Sequence, residues 1–206
     1  MISQYELTND VNRISREIES KKDVRAILFD RIKKQEKEFD NTNEAIAILV
    51  AVLSAAQSDI TTFIKDIVTT ALQCVYGDTA GYDFKVEFQL KRNQPEVILH
   101  PIKNGIEYEP KFSCGVGVLD VVSFALRVAL WTIKEPRTSP ILFFDEPFRN
   151  LHGKEENERI GMMVKELSDK LGLQIIIVTG ESAITEYADK VFIVENKTGE
   201  SKVRVI

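Results

Sequence analysis

Cysteine is nearly absent. Cys74 and Cys114 are the only two in 206 residues, and they lie too far apart to make a metal-ligand spacing. That suits a reduced, cytoplasmic protein. No uninterrupted apolar run reaches the roughly 18 residues of a membrane span. The opening Met1-Ile2-Ser3-Gln4 is polar, so neither a secretory signal nor a membrane partner is expected. Basic charge is not in excess: 27 Lys and Arg stand against 32 Asp and Glu, a net charge of −5. This excludes a general electrostatic sleeve for nucleic acid, so any DNA contact is local or made by partners. The loop G-x-x-x-x-G-K-[ST], whose backbone cradles a triphosphate, occurs nowhere; Gly153-Lys154 is followed by Glu155. What remains is a chain long enough for one large domain, or one with an extension, with 44% hydrophobic residues to fill a core.

From Tyr5 to about Asp40 there is no Gly or Pro, and charges of both signs mix. Leu7, Val11, Ile14 and Ile18 recur at spacings of four, three and four. That is the seam of a coiled coil or of a long amphipathic helix. Val24, Leu28, Ile32 and Phe39 continue the stripe after a phase shift, and a helix of about 35 residues would reach roughly 50 Å. Two readings stand: an amphipathic helix packed on its own domain, or the stub of a coiled-coil arm that needs a partner helix. Asn41-Thr42-Asn43-Glu44 looks like a cap, and the sequence from Ala45 to Tyr76 is far more apolar. The expected boundary therefore separates an arm at 1–40 from a globular head at 41–206.

A β section follows. Tyr82 to Phe88 alternates apolar and polar residues, and Glu96 to Pro101 reads as a second strand. Asn104-Gly105 is a strong hairpin signal. Phe112-Ser113-Cys114-Gly115-Val116-Gly117 is a small-residue turn feeding a helix from Val118 to Ile133. Such a turn offers backbone N–H groups at a helix N-terminus to an anion, although many helices begin with Gly and bind nothing. Beyond residue 140 the order is strand, helix (Lys154 to Leu171), strand (Leu173 to Thr179), short helix (Glu181 to Ala188) and strand (Val191 to Val194). A last edge strand runs from Val203 to Ile206. This order predicts an α/β fold with a mostly parallel, helix-covered sheet, plus the small β meander and the N-terminal coiled-coil-like helix.

The chemistry concentrates at Ile141-Leu142-Phe143-Phe144-Asp145-Glu146-Pro147. Four apolar residues predict a strand buried on both faces. Open α/β sheets bind ligands at the carboxyl ends of their strands. An acidic pair placed there is costly to bury without a cation, and hydrated Mg2+ prefers hard oxygen ligands. The second carboxylate is then free to orient or deprotonate a water. A solvated acidic turn closing a buried strand would read the same way.

The order of these motifs resembles the C-terminal half of an ABC-type ATPase head, and within that class the SMC and SbcC group of DNA-repair and chromosome ATPases. The resemblance covers roughly residues 60–206. Ser123 to Leu130 is similar to that group's signature helix, Asp145-Glu146-Pro147-Phe148 to Walker B with its catalytic Glu, and Asn150-Leu151-His152 to the D-loop. The resemblance implies ATP and Mg2+ as cofactors. It implies Asp145 as the Mg2+ residue and Glu146 as the group that polarises the attacking water. Gly115 and Gly117, with Ser113 as a hydroxyl donor, would hold the γ-phosphate of a nucleotide bound on another head. Two registers are open. One places Ser113 at the signature serine. The other, which needs no gap in the helix, aligns Arg127 with the group's helix arginine and Gly115-Val116-Gly117 with its turn.

Three departures accompany the resemblance. The phosphate-cradling loop is missing, so the implied partner is a Walker A-bearing N-terminal half or subunit. Gly180 stands where a switch histidine is expected, and His152 stands where the D-loop has Asp. The implied function is a half-head or subunit in DNA repair, recombination or end processing. It would work as a homo- or hetero-dimer of heads, with DNA and a nuclease subunit in the complex. The alternative is a non-catalytic adaptor or DNA clamp with a degenerate head. A helicase-like motor fits less well, since such motors lack the signature-type turn.

Overall fold

The charged opening and the apolar stretch after it form one helix, α1 (Gln4–Tyr76), in the computed structural model, which describes residues 4–92, 94–109, 114–196 and 199–206. The predicted cap at Asn41 to Glu44 does not interrupt it. The Thr42 hydroxyl donates to the Glu38 carbonyl one turn back, at 2.7 Å, instead of capping a new helix. Asn and Thr in a helix interior cost at most about 0.7 kcal/mol each relative to Ala, too little to stop a long helix. The chain divides into two compact units, Met1–Ala56 and Gln57–Ile206. In the first, every side chain described is exposed, including Val11, Ile14 and Ile18 of the seam. Ile46, Ile48, Leu49, Val50, Val52 and Leu53 are exposed too, and they spread over a little more than half of the helix circumference.

In the second unit the core gathers around the last turns of α1. Val68, Leu72 and Val75 of α1 are fully buried, as is Phe84, with Val86 nearly so. These two belong to β1 (Tyr82–Lys91), which pairs antiparallel with β2 (Gln94–Lys103), from Tyr82↔Lys103 to Lys91↔Gln94. β3 (Ile106–Glu107) returns across Asn104-Gly105, whose φ values of 52° and 78° are those a two-residue hairpin turn demands. Asp83 anchors this sheet to α1. Burial works against its carboxylate, but the Phe84 N–H, the Thr69 hydroxyl and the Lys65 ammonium outweigh it and hold the group below the usual carboxylate range.

Next come α2 (Val116–Ile133), β4 (Ile141–Asp145), α3 (Lys154–Leu171), β5 (Gln174–Val178) and α4 (Ser182–Thr185). The chain ends in β6 (Phe192–Asn196) and β7 (Ser201–Val205). Val121, Phe124, Ala125 and Val128 of α2 and Ile160 of α3 join the same core. The expectation of a mostly parallel sheet is overturned. Among the described residues only β4 and β5 pair in parallel; β1–β3 and β6–β7 are antiparallel. Strand–helix order does not fix which strands become neighbours, and a hairpin such as β6–β7 closes over a short turn at little entropic cost.

The strand β4 is also not buried on both faces. Phe144 is 3% exposed, whereas Phe143 is 71% exposed. Helices cover one side of the β4–β5 pair, and nothing among the described residues covers the other. The apolar run was therefore no proof of a second layer within this chain. Two helices, the apolar part of α1 and α2, are in fact long and apolar enough to cross a membrane. The expectation counted only unbroken runs; α2, whose apolar face lies in the core, passes the test as a buried helix does.

Gly161 is buried in α3, where an added methyl would run into the Tyr187 ring. Gly161→Ala gains about 1 kcal/mol of helix propensity, but overpacking of this kind costs about 1–3 kcal/mol. The expected outcome is a net loss of stability, read as a lower midpoint in thermal unfolding.

Candidate nucleotide-facing edge

The acid pair is set by β4 and its neighbour. Phe144, just before the pair, packs its ring 4.7 Å from Phe124 of α2, and Phe148, just after it, lies 5.1 Å from the same ring. These aromatic contacts hold the strand end from both sides in sequence. Asp145 pairs with Val178 across the parallel register, and the Glu146 N–H donates to the Val178 carbonyl at 2.9 Å. Both carboxylates are exposed, and neither is ion-paired to a described residue.

The backbone of Glu146 is in the left-handed region, at φ 44°. The other two described non-glycine residues there, Arg92 and Asn104, sit in hairpin turns. Glu146 follows a strand and has no such excuse. An L-residue held there costs about 1–2 kcal/mol, and strain of this kind clusters at functional sites. The sequence carried no signal for it.

Two exposed carboxylates without a cationic partner suit a hard divalent cation. Among the described residues there is no group of three or more His, Cys, Asp or Glu that could hold a metal ion.

The glycine turn packs on the loop that follows β4. Gly115 caps α2 with no side-chain bond, and its carbonyl accepts the N–H groups of Val118 and Leu119 at 3.0 and 3.3 Å. A methyl added to Gly115 would meet nothing within 4 Å. At Gly117 it would come 3.1 Å from the Asn150 carbonyl oxygen and 3.2 Å from the Leu151 side chain. The two glycines thus differ: one faces open space, and the other lets α2 approach a neighbouring backbone. Asp120 of α2 seals the contact, its Oδ2 accepting from the Asn150 N–H at 3.0 Å and from the Asn150 Nδ2 at 3.1 Å.

Arg127 is exposed on α2, with its guanidinium carbon 5.8 Å from the centre of the Phe144 ring. It therefore flanks the strand that carries the acids. Ser113 lies outside the described residues. His152 is exposed, and Gly180 is exposed with open space where a side chain would stand. Burial pushes the Cys74 and Cys114 thiols up, which favours their neutral form.

Sequence reasoning missed Asn157, the one buried polar residue among those described. The signal was present. Asn157, Ile160, Gly161, Val164 and Leu171 share one helical stripe, and a polar residue on the core stripe of α3 asks for a reason.

No protein-family model matches the chain. In sequence it is 33% identical over 85 residues to the DNA double-strand break repair Rad50 ATPase of Methanopyrus kandleri, a match covering 40% of this chain and 10% of that protein. The chain thus matches about a tenth of that relative's length. In fold it is similar to the Smc head domain with a coiled coil and joint from Pyrococcus yayanosii, at a TM-score of 0.58 and 15% identity, over 99% of this chain and 41% of that one. The Pyrococcus furiosus Smc head with an extended coiled coil, bound to the C-terminal domain of ScpA, gives a TM-score of 0.55 at 17% identity, over 97% of this chain and 50% of that one. An SMC ATPase structure described for ATP-driven dimerization and DNA-stimulated activation gives 0.53 at 18%, over 73% of this chain and 88% of that one. At these identities the structural matches speak for the fold, while the 85-residue stretch speaks for the sequence. The chain is thus SMC/Rad50-like: it is similar in fold to SMC head domains and, over 85 residues, similar in sequence to a Rad50 ATPase.

Proposed function

We propose that this chain supplies the signature turn and the acid pair of an SMC/Rad50-like ATPase head acting in DNA repair, recombination or end processing. The observation that carries the reading is Glu146: an exposed carboxylate held in a strained backbone conformation beside Asp145, where the parallel pair β4–β5 ends. Asp145 is the residue that would hold Mg2+, through water, and the ion would neutralise charge developing on the phosphoryl oxygens. Glu146 orients and deprotonates the attacking water. The free N–H groups at the start of α2, approached over Gly115, bind the γ-phosphate of a nucleotide held by a second head; Ser113 and Gly117 flank that turn, and Arg127 reports on its occupancy.

The triphosphate itself is gripped by a Walker A-bearing N-terminal half or subunit, since this chain has no such loop. Heads pair as dimers, the first part of α1 serves as the arm, and DNA and a nuclease subunit belong to the complex. A cytoplasmic location is part of the same proposal. The proteins that the chain resembles support it: a double-strand break repair ATPase, an Smc head bound to ScpA, and SMC ATPases with ATP-driven dimerization.

A second reading, a clamp or adaptor without turnover, is favoured by the bare Gly180 beside the acid pair. Mixing the chain with a Walker A-bearing half separates the two. Mg2+-dependent binding of a slowly hydrolysed ATP analogue, together with ATP turnover, is the expected result. An assembly that forms yet takes up no nucleotide would leave the adaptor.

A further inference from the structure

Asn157 lies in the first turn of α3, 3% exposed, with its own N–H bonded to the Gly153 carbonyl at 3.0 Å. Its Nδ2 donates to the Leu151 carbonyl at 3.5 Å and to Glu181 Oε2 at 3.3 Å. Its Oδ1 is buried without a partner. A leucine of similar size would fill the same space with no orphaned oxygen, so packing alone does not account for an amide here. The amide instead joins two loops. Leu151 belongs to the loop after β4 and Glu181 to the loop after β5. The first loop is gripped from its other side by Asp120 of α2. The second is drawn tight by the Glu181 N–H, which donates to the Thr179 hydroxyl oxygen at 3.1 Å.

We propose that Asn157 is a positioning residue that yokes the Asn150–Leu151 loop to the Thr179–Glu181 loop, so that the two move as one when a nucleotide and a second head close on them. This rests on the function proposed above, in which those loops border the nucleotide. With Gly180 carrying no side chain, Glu181 is the first side chain after Thr179 able to tie the loop down. Its carboxylate is spent on Asn157 rather than on the reacting water. The path from the glycine turn to the end of β5 then runs through named contacts: Gly117 and Asp120 on Asn150, Leu151 on Asn157, and Asn157 on Glu181. Contiguity is not itself coupling, which must be measured by exchanging partners.

The test exchanges donor and acceptor. Asn157→Asp sets two carboxylates face to face. Adding Glu181→Gln restores the bond to residue 181 with its direction reversed, whereas the new carboxylate at position 157 still has no proton to give the Leu151 carbonyl. In the chain alone, amide hydrogen exchange is expected to speed up about tenfold at both loops in Asn157→Asp and, in the double variant, to return to the original rate at the Thr179–Glu181 loop while the Asn150–Leu151 loop stays fast. In the head completed by a Walker A-bearing half, kcat should fall about tenfold in Asn157→Asp with KM for Mg-ATP within twofold, and the double variant, which regains only the bond to residue 181, should recover it in part. Asn157→Leu, which packs without adding a charge, guards against failure to fold and should show the same kcat loss. Glu181→Gln alone keeps an acceptor for Nδ2 and should stay within threefold of the original. Faster exchange at only one loop in Asn157→Asp, or a double variant whose Thr179–Glu181 loop exchanges as fast as in Asn157→Asp, overturns the yoke. A severe loss in Glu181→Gln alone does the same, because it would make the carboxylate's charge the point. A completed head that never hydrolyses ATP overturns the proposed function instead, and the exchange measurements then decide the yoke by themselves.

Discussion

Glu146→Gln, in a head completed by a Walker A-bearing half, is expected to lower Mg-ATP hydrolysis by about 10²–10⁴-fold while nucleotide binding stays within a few-fold. The substitution keeps the size and the hydrogen-bonding outline of the side chain and removes only its basicity. It also keeps the backbone: the N–H bond to the Val178 carbonyl and the left-handed φ of 44° do not depend on the carboxylate. A fall in rate can therefore be assigned to lost proton abstraction and water orientation, since positioning and charge neutralisation account for most catalysis of phosphoryl transfer. Glu146→Gly is the informative companion. It removes the carboxylate and also relieves about 1 kcal/mol of backbone strain, so activity should vanish while the isolated chain unfolds at a higher temperature. Opposite signs on activity and stability at one position would mark strain maintained for function. A hydrolysis rate left intact by Glu146→Gln would remove Glu146 from the chemistry.

What could be read beforehand followed local physics. Asn104-Gly105 permitted one kind of turn, and that turn formed. The helix from Lys154 to Leu171 was bounded by Gly153 and Gly172, the latter at φ 62° as a left-handed C-cap. The acids at 145 and 146 stood out as two carboxylates directly after four apolar residues, a pattern that a solvated acidic turn shares. What could not be read was non-local. Thr42 had two acceptable uses, and the continuing helix selected the bond to Glu38. Ile141 to Phe144 look alike in sequence, yet Phe144 faces α2 and Phe143 faces solvent, because burial depends on layers the segment does not contain. The strain at Glu146 comes from the meeting of β4 with β5, and the work of Asn157 from three segments brought together. Neither is written in any window of a dozen residues.

Phe143→Lys is expected to leave the stability of the isolated chain within about 0.5 kcal/mol, as a surface substitution does, and to weaken association with the Walker A-bearing half by at least about 10³-fold. The reason is the bare sheet face. Phe143 and Ile176 stand side by side in the parallel register, flanked by Ile141 and Val178, all exposed. The hairpin β6–β7 presents a second such face, Phe192 beside Val205 and Val194 beside Val203. Contiguous apolar patches of this kind mark interaction surfaces in soluble proteins. The pair β4–β5 also has no further strand bonded to it, so each strand keeps an unpaired edge among the described residues. A half-head that lays a strand or a helix over this face covers the apolar side chains and meets the edge at the same time. Burying a Phe contributes about 1.5–3 kcal/mol, and forcing an unpaired ammonium into the same place costs several more, so about 4 kcal/mol or a thousandfold is a conservative sum. Leu90→Lys, at the far end of the β1–β2 hairpin and on a different sheet, adds the same charge and should change association less than twofold. Titration of the two variants against the same counterpart decides the matter. If Phe143→Lys binds as tightly as Leu90→Lys, the Walker A-bearing half docks elsewhere, and the acid pair loses the neighbour that would bring it a triphosphate.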